Sequence, residues 1–166
     1  MTTPRAAVPL DTILLRIGRL NYVWTNTESL LIHLIAGLCR TDKETAVIVF
    51  LTLNTTRARI DLVERLAKLS RTPAAERAAL LDCTRRLSKL AGVRNHYNHC
   101  IYSFDTERGS AHTILMRIAD RKDGIRVGQV DPIDETALQN IEDSLQALKE
   151  LNAELWALIL ENGYPV

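Results

Sequence analysis

The six residues Arg94-Asn-His-Tyr-Asn-His99 bring a fixed cation, two amides and two imidazoles into one short stretch. They lie near the end of a long helical pattern, in which each residue turns by about 100°. Relative to Arg94, Asn98 falls at about 40°, Asn95 at about 100° and His99 at about 140°. One arc of one helix therefore carries Arg94, Asn95, Asn98 and His99, with His96 in the same turn. The set suits a phosphodiester. A guanidinium forks onto phosphate oxygens, an amide orients, and an imidazole moves protons near neutral pH. The alternative is a merely polar last turn, because Arg and His are favoured near helix C-termini by the backbone dipole.

Such an arc needs neighbouring helices to hold it, and the apolar periodicity supplies four. From Leu10 to Leu38 apolar residues recur three, four or seven apart, which predicts one helix of roughly 30 residues after a loose lead-in over residues 1–9. Glu28 falls on this stripe between Trp24 and Leu31, and Asn21 is its other non-apolar member. A buried carboxylate is costly unless paired. Arg94, or Arg57 on the next helix, is the expected partner; at the stripe's edge Glu28 would instead reach water. Thr41-Asp-Lys-Glu44 has capping-box form and opens a second helix over about 43–70. Its polar middle, Asn54 to Arg59, either lines a cleft or forms a solvated face. Thr72-Pro73 caps and opens a third helix, whose stripe Leu80, Leu81, Leu87, Leu90 and Ala91 runs into Arg94 and resumes at Ile101 and Phe104, so the helix should end near Phe104, before a loop over 105–109.

The period then changes. Residues 112–118 alternate, Asp123-Gly124 marks a turn, and Ile125 and Val127 follow, which predicts a β-hairpin over 112–130. Asp131-Pro132 opens a last helix over about 132–161. The expected fold is all-α, an up-down four-helix bundle with a small β-hairpin inserted before the last long helix, in a single domain over 1–166.

Composition bounds the partners. Of 166 residues, 46% are hydrophobic and 25% charged, and the net charge of +1 excludes a polycation. The charge is uneven. Arg57 to Arg94 holds ten Arg/Lys against four Asp/Glu, whereas Asp131 to Val166 holds one Lys against eight Asp/Glu. A basic middle attracts a polyanion; equally, basic and acidic helices can neutralise each other as neighbours. Cys39, Cys83 and Cys100 are odd in number and far apart, so reduced thiols in a cytoplasmic protein are expected. Met1 to Leu10 lacks the apolar core of a signal peptide, and no run approaches a membrane span.

Arg94 followed by Asn95, with His99 closing the motif near the end of a third helix, resembles the Arg-x(4–6)-His motif of the HEPN superfamily of small helical bundles. Trp24-x-x-x-Glu28 is similar to that family's acidic residue following an aromatic on the first helix. The resemblance in element order spans nearly the whole chain. It implies metal-independent RNA cleavage without cofactors. His99 would transfer protons, Arg94 would hold the phosphate, and Asn95 would position the ribose-phosphate or the His. It also implies a homodimer with two motifs facing one cleft, and a toxin or defence role with RNA and an antitoxin or other protein as partners. Glu28, Asn98 and His96 are supporting candidates. Two rival readings stand beside it. His96 and His99, joined by His33 or His112, could ligate zinc, although no Cys partner or His-Glu-x-x-His pattern accompanies them. A bundle can also be a non-catalytic binding module, since fold does not dictate function.

Overall fold

A computed structural model describes residues 9–105 and 110–166. The loose lead-in and the loop expected around 105–109 therefore lie largely outside the described residues. The chain is mostly helical with a small antiparallel sheet. Its elements are α1 (Leu10–Glu28), α2 (Leu31–Cys39), α3 (Lys43–Thr52), α4 (Thr56–Ala67), α5 (Ala74–Asn98), β1 (Cys100–Asp105), β2 (Ser110–Arg121), β3 (Gly124–Pro132) and α6 (Glu135–Glu161). No helix among the described residues is long and apolar enough to cross a membrane.

Two expected helices are each broken into two. The first breaks after Glu28, where polar side chains bond backbone carbonyls of their own helix. Asn26 Nδ2 donates to Tyr22 O (3.0 Å), Thr27 Oγ1 to Val23 O (2.8 Å) and Ser29 Oγ to Asn26 O (2.9 Å). Such bonds compete with the helical ladder. The chain tightens locally, with Leu30 N donating to Thr27 O (3.2 Å) and Ile32 N to Ser29 O (3.1 Å). The second break separates α3 from α4 at Asn54. Thr55 there is extended, and its hydroxyl caps α4 by accepting from Ala58 N (3.1 Å). Periodicity alone reads through both breaks, because the apolar stripe resumes beyond each.

Caps also differ from expectation. Asp42 rather than Thr41 caps α3, accepting from Thr45 N (2.8 Å). Asp134 rather than Asp131 caps α6, accepting from Ala137 N (2.9 Å), because Asp131 and Pro132 are taken into β3. In both cases a carboxylate lies nearer the orphaned amides of the first turn.

The third helix stops at Asn98, not near Phe104. Cys100–Asp105 instead forms β1, so the expected hairpin is a three-stranded sheet of order β1-β2-β3. Ile101 pairs with Ile114 and Phe104 with Ala111, and Ile114 also pairs with Val130. Alternation and β-branched or aromatic residues in Cys-Ile-Tyr-Ser-Phe suit a strand once β2 offers its edge. A register shift between Leu115 and Ile118 marks an irregularity in β2 against β3, where Gly128 takes φ 75. A positive φ there favours glycine.

Contacts divide the chain into two compact units. The first comprises the residues up to Asn21 together with Val93–Leu145. Ile13, Ile17, Leu20, Ile133, Ile141 and Leu145 are buried in it, and Arg16 Nη1 meets Glu142 Oε2 at 2.8 Å. The second comprises Tyr22–Gly92 and Gln146–Val166. Trp24, Leu34, Ile35, Leu87, Leu148 and Leu155 lie in its core. Arg86 forks onto Glu154, joining the basic α5 to the acidic α6 within that unit. Leu14 of α1 and Ile48 and Leu51 of α3 are apolar yet exposed.

Candidate functional site

The last turn of α5 holds Arg94 by its amides. The Asn98 amide is oriented so that its Oδ1 accepts from Arg94 Nε (2.8 Å) and Nη2 (3.2 Å) while its Nδ2 donates to Asn21 Oδ1 (3.0 Å). The opposite orientation would let Asn21 Nδ2 donate to Asn98 Oδ1 at 2.8 Å. It would also point the Asn98 amino group at guanidinium donors, so the first orientation is the satisfied one. Arg94 Nη1 further donates to Asn95 Oδ1 (3.1 Å), and Asn21 Nδ2 to Ile17 O (3.1 Å). The network Asn21–Asn98–Arg94–Asn95 lies wholly in the first unit. Arg94 is half-buried, and Asn95 and Asn98 are exposed.

His99 sits one residue beyond the helix. Its amide still donates to Asn95 O (3.1 Å), and its carbonyl accepts from Met116 N (3.2 Å) at the start of the sheet. The backbone is thus tied on both sides while the imidazole is exposed, with no side-chain hydrogen bond among the described residues. Below it the turn is anchored by Tyr97, which is buried and whose carbonyl accepts from Tyr102 Oη (2.5 Å) and Cys100 Sγ (3.5 Å). Burial pushes the phenols of Tyr97 and Tyr102 above their ordinary range, which keeps both protonated. The His96 and Tyr97 rings meet nearly at right angles, centroids 5.0 Å apart.

Glu28 belongs elsewhere, and neither expected cation pairs with it. Its partner is Arg59, Nη1 to Oε1 3.1 Å; Thr56 Oγ1 donates to the same oxygen (2.6 Å) and Trp24 Nε1 to Oε2 (3.2 Å). Arg57 lies instead toward Asp61, and its side chain is exposed. The break at Asn54 decides this. It starts α4 afresh, so Thr56 and Arg59, one turn apart, face the carboxylate together. Arg59 Nε meanwhile donates to Phe50 O (3.1 Å) and Leu53 O (3.0 Å), carbonyls orphaned at the end of α3, and its guanidinium carbon stands 4.0 Å over the Phe50 ring. This is a structural knot in the second unit.

The site therefore unites Arg94, Asn95 and Asn98, adds His99 at the helix end, and leaves His96 against the Tyr97 ring. Asn21 is the residue that sequence reasoning passed over; its signal was an amide on an otherwise apolar stripe. Among the described residues no three His, Cys, Asp or Glu side chains gather as a metal-binding group. Compared with models of known families, with curated proteins and with solved structures, the chain matched none.

Proposed function

We propose that this protein is a metal-independent endoribonuclease of the HEPN kind, working as a cytoplasmic homodimer in a toxin–antitoxin or defence setting, with its helices arranged as a four-helix bundle. The observation that carries this reading is the amide clamp on Arg94. A guanidinium fixed by Asn95 and Asn98 loses little further freedom on binding a phosphate, and amides orient it without adding a charge of their own. His99, exposed just past the end of the same helix, is free to meet substrate.

The chemistry uses the RNA itself. The 2′-oxygen attacks the adjacent phosphorus, giving up its proton to an imidazole; the phosphorus–5′-oxygen bond breaks, and the leaving oxygen takes a proton. Arg94 offsets charge growing on the phosphate. In a dimer the two protons can be handled by two copies of His99. The products are a 2′,3′-cyclic phosphate and a 5′-hydroxyl. The test is purified protein with matched RNA and DNA, with and without EDTA. Cleavage of RNA alone, insensitive to EDTA and leaving cyclic ends, is the expected result. EDTA-abolished cleavage or equal cutting of DNA overturns the mechanism.

A second reading, a non-catalytic protein-binding module, draws on the sheet, where Met116, Ile118 and Ile125 are all exposed. An inert protein across a broad RNA pool, together with capture of a defined partner, would favour it.

A further inference from the structure

A separate cleft of about 560 Å³ lies in the second unit, between the α1–α2 turn and α6. We infer that it binds a small planar aromatic anion whose ring carries an N–H or O–H donor. Its centre is His33, only 7% exposed. His33 Nδ1 lies 2.7 Å from Pro165 O. A carbonyl can only accept, so Nδ1 carries the proton, and in the neutral ring Nε2 is an acceptor. Nothing among the described residues donates to Nε2, and His33 lines the cleft. The tail that sets this tautomer is itself wedged in place. The Tyr164 ring lies so close to Gly37 that a Cβ there would come within 2.2 Å of it, and Tyr164 Oη bonds Glu76.

The rest of the lining matches the same ligand. His33 packs on Trp156, centroids 5.2 Å apart, and Tyr22 stands 72% exposed at the edge, so a planar ring has two aromatic surfaces to cover. The amides are tied by their nitrogens, Asn26 to Tyr22 O (3.0 Å) and Asn152 to Thr27 Oγ1 (3.2 Å). Their oxygens remain as acceptors, which again calls for a donor on the ligand. Among the described residues Lys149 is the only lysine, arginine or carboxylate lining the cleft, so an anion is favoured over a cation. The volume is within the range of small-molecule sites.

The probe is 4-hydroxyphenylacetate, compared with neutral 4-methylphenol, titrated into the full chain and followed by tryptophan fluorescence and calorimetry. The anion should bind saturably in the micromolar-to-millimolar range and quench emission that Trp156→Phe removes. Lys149→Gln should weaken the anion about fivefold to tenfold and leave 4-methylphenol unchanged. His33→Asn, which can keep the bond to Pro165 O but lacks Nε2, should weaken both about tenfold. Lys149 is exposed, so if His33→Asn does not fold, Lys149→Gln alone decides. No saturable binding of the anion, or anion binding that Lys149→Gln leaves unchanged, overturns the inference. RNA cleavage is not a readout here, so this inference and the ribonuclease reading fail separately.

Discussion

Two arginines in this protein are immobilised in opposite ways. Arg59 is held by a carboxylate, two backbone carbonyls and an aromatic face, and its side chain and that of Glu28 are 18% and 11% exposed. Arg94 is held by side-chain amides on its own helix and stands half-exposed at a helix end. The first arrangement joins α1, α3 and α4, so its loss is a loss of structure. The second joins residues one to four apart, with Asn21 behind them, so its loss changes little but the pose of one guanidinium. A short polar motif can therefore be chemical while a better-bonded cation elsewhere is architectural.

The largest expected effect tests the chemical side. His99→Ala should lower RNA cleavage by about 10²–10⁴, the usual worth of acid–base catalysis, with an unchanged melting temperature because the imidazole is exposed. A fall in melting temperature of many degrees would make His99 structural and erase the contrast. Glu28→Ala should do the reverse. It leaves the largely covered Arg59 without its counter-ion and should cost up to about 3–5 kcal/mol in denaturant unfolding. Unaltered stability would mean that water replaces the carboxylate, and the knot would then be ornamental.

Asn98→Ala sharpens the comparison at smaller scale. It removes the acceptor of two hydrogen bonds, from Nε and Nη2, so turnover should drop at least about tenfold. Asn98 is exposed, so stability should move by less than about 0.5 kcal/mol. An equal loss of stability and activity would show that the clamp is part of the fold. The smallest effect concerns thiols. Burial raises the Cys83 pKa to about 11, so almost no thiolate is present at neutral pH. Exposed Cys39 should react with a thiol reagent in the native state while Cys83 stays silent until unfolding. Equal labelling rates would mean that the second unit opens easily around its core.

Much of the local order was legible in the chain. Apolar spacing located the helical segments, Asp123-Gly124 located the turn between β2 and β3, and Arg94, Asn95 and Asn98 could be placed on one arc from helix geometry alone, whereas His99 lies one residue past the helix. Glu28 on an apolar stripe posed a choice between a buried pair and an edge position reaching water, and the structure shows the pair. The partner was not legible, because it depends on where α3 stops. Asn54-Thr-Thr reads in sequence as the polar middle of one continuous helix, and only the break there brings Thr56 and Arg59 to Glu28.

Helical periodicity is a property of neighbours in sequence, so the chain alone determined which faces of its helices are apolar and that Arg94, Asn95 and Asn98 share a turn. Tertiary structure decided the rest. Whether Cys100–Asp105 continued α5 or became β1 turned on pairing with β2, a contact across residues that local propensity does not see. That outcome ends the helix at Asn98 and leaves His99 at the junction with its imidazole exposed. Asn21, 77 residues from Asn98, could enter the clamp only once folding had brought α1 beside the end of α5.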